Sequence, residues 1–436
     1  PGPLWEYDNI LPSVTSLASE GVLGCWAQSV CELLSPVYNS VYCPGAGGSG
    51  DGETFVERWS RDALHWATSS SNRHSASRSF QVLRSLGVPL SETSVTLMLM
   101  RLADVVESAG IEAQGYALDV LLTLQHLVQS LRSSSGGSGG GSGGPHAPHA
   151  GAGDMAASPP AVLLPRIFWT CVCLFESTLV HEFEMALCIV RAILDMPEFS
   201  RAHCQALSRR VFEELGWQNF PGVHELVLKG LLSDELAPET LRLLTLLTPR
   251  LKDTIIDRRN SLAIHTVALV PHLALHFDEG VRDALSTKAS QRLGEALAPA
   301  SSRLSRLFVL YASQEYAKNG DAWVADFARF FGSCFFPEQD VPTFSFLIGL
   351  LERGPQAYHG AVVQVLAALL RTLKGDRLTN AGRFAADLFS VIVRLQRQGM
   401  WDEAFQLVDA ASFLASDSLE DSSAEAVSSA LYDIQE

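Results

Sequence analysis

Apolar residues recur at helical spacing over most of this chain, and the alternation of a half-buried strand is nearly absent, which restricts the fold to an all-α class. From Phe384 the set Phe384, Leu388, Val391, Ile392 and Leu395 falls at i, i+4, i+7, i+8 and i+11, and Val362, Leu366, Leu369, Leu370 and Leu373 repeat it. Each set forms one face of an amphipathic helix. Leu241, Leu243, Leu244, Leu246 and Leu247 wrap further round, as in a helix enclosed by neighbours, and Pro238 and Glu239 suit its first turn.

In the second half, helix starts are expected near 261, 280, 303, 320, 341, 357, 379 and 401, with breaks at Gly320, Pro337, Pro342, Pro355, Gly375 and Gly399. Every second start lies about 37 to 44 residues on, the size of a HEAT or armadillo unit. One helix pair cannot cover its own apolar face, so stacked pairs forming an elongated solenoid are the expected architecture.

Ser133 to Asp154, reading SSSGGSGGGSGGPHAPHAGAGD, has no large apolar residue and cannot bury enough surface to offset its ordering entropy. The expected organisation is helical repeats over 1–132, a flexible Gly/Ser-rich linker over 133–160, continuing repeats over 161–415 and an acidic tail over 416–436. A second Gly-rich loop is expected at Pro44 to Gly52. Pro1-Gly2-Pro3-Leu4-Trp5-Glu6 has neither an initiator Met nor signal-peptide order, so the chain reads as a fragment or a processed piece.

A hydrophobic share of 47% with 18% charged residues is the balance of a folded protein. Apolar runs such as Ala263 to Leu275 are interrupted by His or Pro before reaching membrane-spanning length, so no membrane span is expected. A net charge of −16 repels a phosphate backbone, which argues against nucleic acid. Eight cysteines at 25, 31, 43, 171, 173, 188, 204 and 334 follow no disulfide framework and point to a reducing compartment.

No motif supplies catalysis in a rigid setting. Gly136-Gly137-Ser138-Gly139-Gly140 has the form G-x-S-x-G, but a nucleophile elbow needs a strand entering and a helix leaving the turn. Carboxylate pairs Glu182/Glu184 and Glu213/Glu214 read as solvated helix faces. His265, His272 and His276, at i, i+7 and i+11, share a helical face and are the best metal candidate, yet their apolar setting reads as packing. No metal and no cofactor are therefore expected. Cys171 and Cys173 point about 200° apart on a helix and read as core residues. The basic doublets Arg209/Arg210 and Arg258/Arg259 are the candidate sites for docking an acidic partner.

Several strings in order resemble the C-terminal part of the Furry family of cell-morphogenesis proteins. They begin with Leu4-Trp5-Glu6-Tyr7-Asp8-Asn9-Ile10, Arg58-Trp59 through Ala63-Leu64, and Ser77-Arg78-Ser79-Phe80-Gln81-Val82. Gln114-Gly115-Tyr116 leading into Val120 to Leu124, Phe168-Trp169 through Phe175-Glu176-Ser177, and Phe183 to Leu187 follow. Trp217, Phe220, Gly222, Leu228-Lys229-Gly230 and Leu243 to Pro249 continue the series. The resemblance implies part of a very large helical cytoplasmic scaffold, without catalysis, that supports NDR-class kinases and Mob adaptors in polarity, morphogenesis and mitosis. Direct binding to microtubules is the second reading, and the overall acidity disfavours it.

Overall fold

The computed structural model of the chain describes residues 14–42, 54–106, 111–136, 159–253, 256–277, 283–314, 316, 319–373 and 381–417. Regular structure among the described residues consists of eighteen α-helices and short 3-10 turns, with no strand. The all-α, helical-repeat class is thus the one the periodicity implies. Most of the Gly/Ser-rich stretch, the loop Pro44–Gly52 and the acidic tail from 418 lie outside the described residues, as do Gly375 and the side chain of Phe384. The chain divides into two compact units, Pro1–Gln218 and Asn219–Glu436.

The first unit contains α1 (Val14–Tyr42), α2 (Phe55–Ser69), α3 (Arg73–Leu86), α4 (Glu92–Val106), α5 (Ile111–Gly136), α6 (Pro159–Leu174), α7 (Val180–Leu194) and α8 (Ala202–Leu215). Helices α1, α3, α5 and α7 pack in succession as one layer, and α2, α4, α6 and α8 as the other. The pairs α2/α3, α4/α5 and α6/α7 join the layers, so each helix covers the apolar face of its neighbours.

Local sequence fixes the ends. Thr54 and Glu57 form a reciprocal capping box at α2, Asn72 caps α3, and Gly87 ends α3 in the left-handed region at φ 63°. Inside, Phe80 meets Tyr116 edge-on at 5.5 Å, while the Tyr116 hydroxyl donates to the Ala67 carbonyl at 2.9 Å, tying α2, α3 and α5 together. The Arg84 guanidinium donates to the Asp119 carbonyl and the Thr123 hydroxyl, each at 3.0 Å, and pairs with the Asp119 carboxylate at 3.2 Å. The two side chains are partly buried, and the pair clamps α3 to α5.

The second unit contains α9 (Val223–Leu228), α10 (Ala237–Leu247), α11 (Leu262–Leu275), α12 (Ala284–Leu297), α13 (Ser302–Ala312), α14 (Gly320–Phe335), α15 (Asp340–Arg353), α16 (Gln356–Thr372), α17 (Ala381–Arg397) and α18 (Trp401–Asp417). Starts α11 to α18 fall within a few residues of those read from sequence. Two of the expected breaks coincide with these starts: Gly320 opens α14, where Asn319 accepts from the Ala322 amide, and Pro342 sits in the first turn of α15, where its missing N–H costs nothing. Pro238 and Glu239 do occupy the first turn of α10.

Helices α14, α16 and α18 stack as one layer. The other layer runs α11, α15, α17 and skips α13, which packs only against α12 and α14 among the stronger helix contacts. Helix α11 therefore lies among α10, α12, α14, α15 and α16, and from Ala263 to Ala274 all but one of its residues are buried. Around it Trp323 packs against Phe277, Phe308, Tyr311 and Phe327, and the Tyr311 hydroxyl donates to the Leu273 carbonyl at 2.9 Å.

Candidate functional site

Buried histidines stand at both ends of α11, His265 near its start and His272 near its end. Near its start, Thr248 donates its hydroxyl to the Leu244 carbonyl at 3.1 Å, so its oxygen is left to accept from His265 Nε2 at 2.9 Å. His265 Nδ1, the remaining lone pair of that ring, then accepts from His224 Nε2 at 2.8 Å. His224 Nδ1, at the end of the chain, is buried without a hydrogen-bond partner. The direction of this relay requires His265 to be neutral, because a proton on its Nδ1 would face the His224 Nε2–H, whereas a proton on His224 would fall on its unpartnered Nδ1.

The electrostatics agree with that geometry. Burial pushes His224 down to about 4, against an opposing pull from Asp257, and burial with the His224 neighbour holds His265 well below the usual histidine range. Gly222 allows the approach that places His224. Its φ of 108° belongs to glycine, and a Cβ there would meet the Arg258 amide nitrogen at 3.1 Å and the Ile256 carbonyl at 3.2 Å. The His224 amide donates to that same Ile256 carbonyl at 3.0 Å.

The structure divides the three-histidine face read from sequence. His265 belongs to the relay, while His272 and His276 meet at a ring separation of 4.7 Å at the other end of α11 and are joined by Asp283, which precedes α12. One ligand atom from each of His272, His276 and Asp283 lies within 4.8 Å of the others, a metal-compatible grouping among the described residues. His272 is buried and its Nε2 is 3.2 Å from the Ser286 hydroxyl, whereas its Nδ1 has no hydrogen-bond partner. Burial, reinforced by His276 and opposed by Asp283, pushes His272 down to about 4. His272 also lines an apolar cleft with Leu241, Pro271, Leu350, Tyr358 and Val362.

The candidate docking arginines lie on the surface, in different units. Arg209 and Arg210 are exposed on α8, with Arg210 paired to Glu214 at 3.0 Å. Arg258 donates to the Phe220 carbonyl at 3.2 Å, and Arg259 pairs with Glu225 at 2.9 Å, so this second doublet also holds the 256–261 turn against the start of α9. Two readings are corrected. Glu182 is buried and accepts from the Ser177 hydroxyl at 2.6 Å, because that hydroxyl also accepts from the Leu179 amide at the entry to α7. Cys171 is core, but Cys173 is exposed, as the angular separation of the two requires.

Sequence reasoning did not find the exposed aromatics. Trp401 and Phe405, one turn apart on α18, are 54% and 62% exposed, although Ala404 and Leu407 between and beyond them are buried. Trp66 on α2 and Met100 on α4 are similarly exposed. Only the packing of α18 on α16 and α17 decides which of its faces remains open.

Helices stacked in two layers within each unit, with large aromatic side chains left on the surface, are the build of a helical-repeat protein. Residues 165–414 match the family described as cell morphogenesis C-terminal, and the chain belongs to that family. It is similar to the cell morphogenesis protein PAG1 of Saccharomyces cerevisiae, 24% identical over 411 residues that make up 93% of this chain. The chain spans 15% of the length of that yeast protein. Among the described residues no helix is long and apolar enough to cross a membrane.

Proposed function

We propose that the chain is a non-catalytic interaction module of a Furry-like cell-morphogenesis protein, one that presents a surface to an NDR-class kinase or its Mob adaptor in the cytoplasm. The observation that carries this reading is the exposed Trp401/Phe405 pair: interface energy concentrates in a few aromatic and arginine anchors, and large aromatics left in water are the form such anchors take before binding. Arg209, Arg210, Arg258 and Arg259 would add electrostatic steering toward an acidic partner. Microtubules are the weaker alternative, since both they and this chain, at −16, are acidic.

The test is titration calorimetry of the full chain against a purified kinase–adaptor pair, with Trp401→Ala/Phe405→Ala and with Glu substitutions at each arginine doublet. Loss of the aromatic pair is expected to weaken binding by at least about tenfold, or about 1.4 kcal/mol. Reversal of a doublet should act more strongly at low salt. No binding of the pair, together with co-sedimentation with microtubules, would replace this reading by the cytoskeletal one.

A further inference from the structure

We propose that His272, His276 and Asp283 form a binding site for a divalent transition-metal ion of the zinc type, which clips the end of α11 to the beginning of α12. His272 and His276 are separated by one helical turn and so project along the same side, with ring centroids 4.7 Å apart. Asp283 brings a carboxylate from the next helix, and the three ligand atoms already lie within 4.8 Å of one another. Zinc bonds of 2.0–2.1 Å place tetrahedral ligands about 3.3 Å apart, a contraction within reach of side-chain rotation at half-exposed His276 and exposed Asp283.

Two features of this group favour coordination. His265 spends both ring nitrogens on neighbours, whereas His272 has Nδ1 buried and without a partner while Ser286 engages Nε2. A hydroxyl on one ring nitrogen, fixing the ring so that the other can coordinate, is the usual support of a metal-bound histidine. Asp283, moreover, occupies the N-cap position of α12, where a carboxylate ordinarily accepts a backbone N–H, yet its side chain makes no capping bond. Two imidazoles and one carboxylate are the donors that suit zinc, with water completing the tetrahedron.

The experiment uses the intact chain, stripped of metal, and adds Co²⁺ for spectroscopy and Zn²⁺ for stability. One equivalent of Co²⁺ should give tetrahedral d–d absorption without the near-ultraviolet thiolate charge-transfer band that the chain's cysteines would produce. Zn²⁺ should raise the melting temperature. His276→Gln and Asp283→Asn change side chains that reach solvent, leave the core intact, and should each weaken Co²⁺ binding at least about tenfold and abolish the Zn²⁺-dependent rise. Binding that is unchanged in both variants, or dominated by thiolate charge transfer, would overturn the site.

Discussion

Acid should unfold this protein through the His224–His265 relay. An unfolded histidine titrates near 6.5, whereas His224 in the folded chain titrates at about 4. Between those values the unfolded state binds the proton and the folded state does not, so the stability contributed by the neutral ring is present above about pH 6.5 and is lost as pH falls toward about 4. A pH of about 5 lies about 1.5 pH units below the unfolded value, and at about 1.36 kcal/mol per unit His224 alone removes about 2 kcal/mol. His265 acts in the same direction. Burial sets the lower end of the window and Asp257, which attracts a proton onto His224, raises it, while its carboxylate already accepts from the Ser261 amide at 2.8 and 2.9 Å. The assay compares urea unfolding, followed by circular dichroism, at about pH 7.5 and about pH 5 for wild type and for His224→Leu/His265→Leu. The double variant leaves no orphaned hydroxyl, because Thr248 still donates to Leu244, and it should lose at least about 2 kcal/mol less than wild type over that interval. Equal losses in the two proteins would refute the relay as the seat of acid sensitivity.

Gly222→Ala should destabilise the chain by about 1–3 kcal/mol through strain at positive φ and collision with the 256–258 backbone, whereas Gly349→Ala, with open space on a helix, should be neutral or stabilising in the same thermal melt. Arg84→Met should cost about 1–3 kcal/mol in denaturant midpoints because it removes the donors to the Asp119 carbonyl, the Asp119 carboxylate and the Thr123 hydroxyl, and adding Asp119→Leu should recover part of the loss.

The helices of the second unit were legible because each carries a continuous apolar stripe punctuated by Pro or Gly. Gly320 and Pro342 both mark helix starts, since such residues break a helix only in its interior, and Asn319 caps the first. Helical spacing also revealed that His272 and His276 face the same way. It placed His265 with them, although seven residues rise about 10 Å along the axis, too far to share a ligand. The true partners, His224 and Asp283, lie on other elements and have no local signature. Glu182 was illegible for a similar reason, since nothing in the sequence around it shows that the Ser177 hydroxyl will satisfy its carboxylate inside the fold. The order of the layers was hidden too, because each stripe says that a face will be covered and not which helix covers it.

The displacement of α11 into contact with later helices bears on how the chain leaves the ribosome. In the first unit each helix finds its partners within two places along the order, so packing can proceed as translation advances. Helix α11 cannot do this, since its contacts with α15 and α16 await residues as far as Thr372. At about 5–20 residues per second, that interval is about 5–20 s. During it the nascent chain carries a helix whose buried face runs almost all the way round and whose late partners have not been synthesised, which makes the emergence of α16 the step that closes the period of greatest exposure to chaperones and to aggregation.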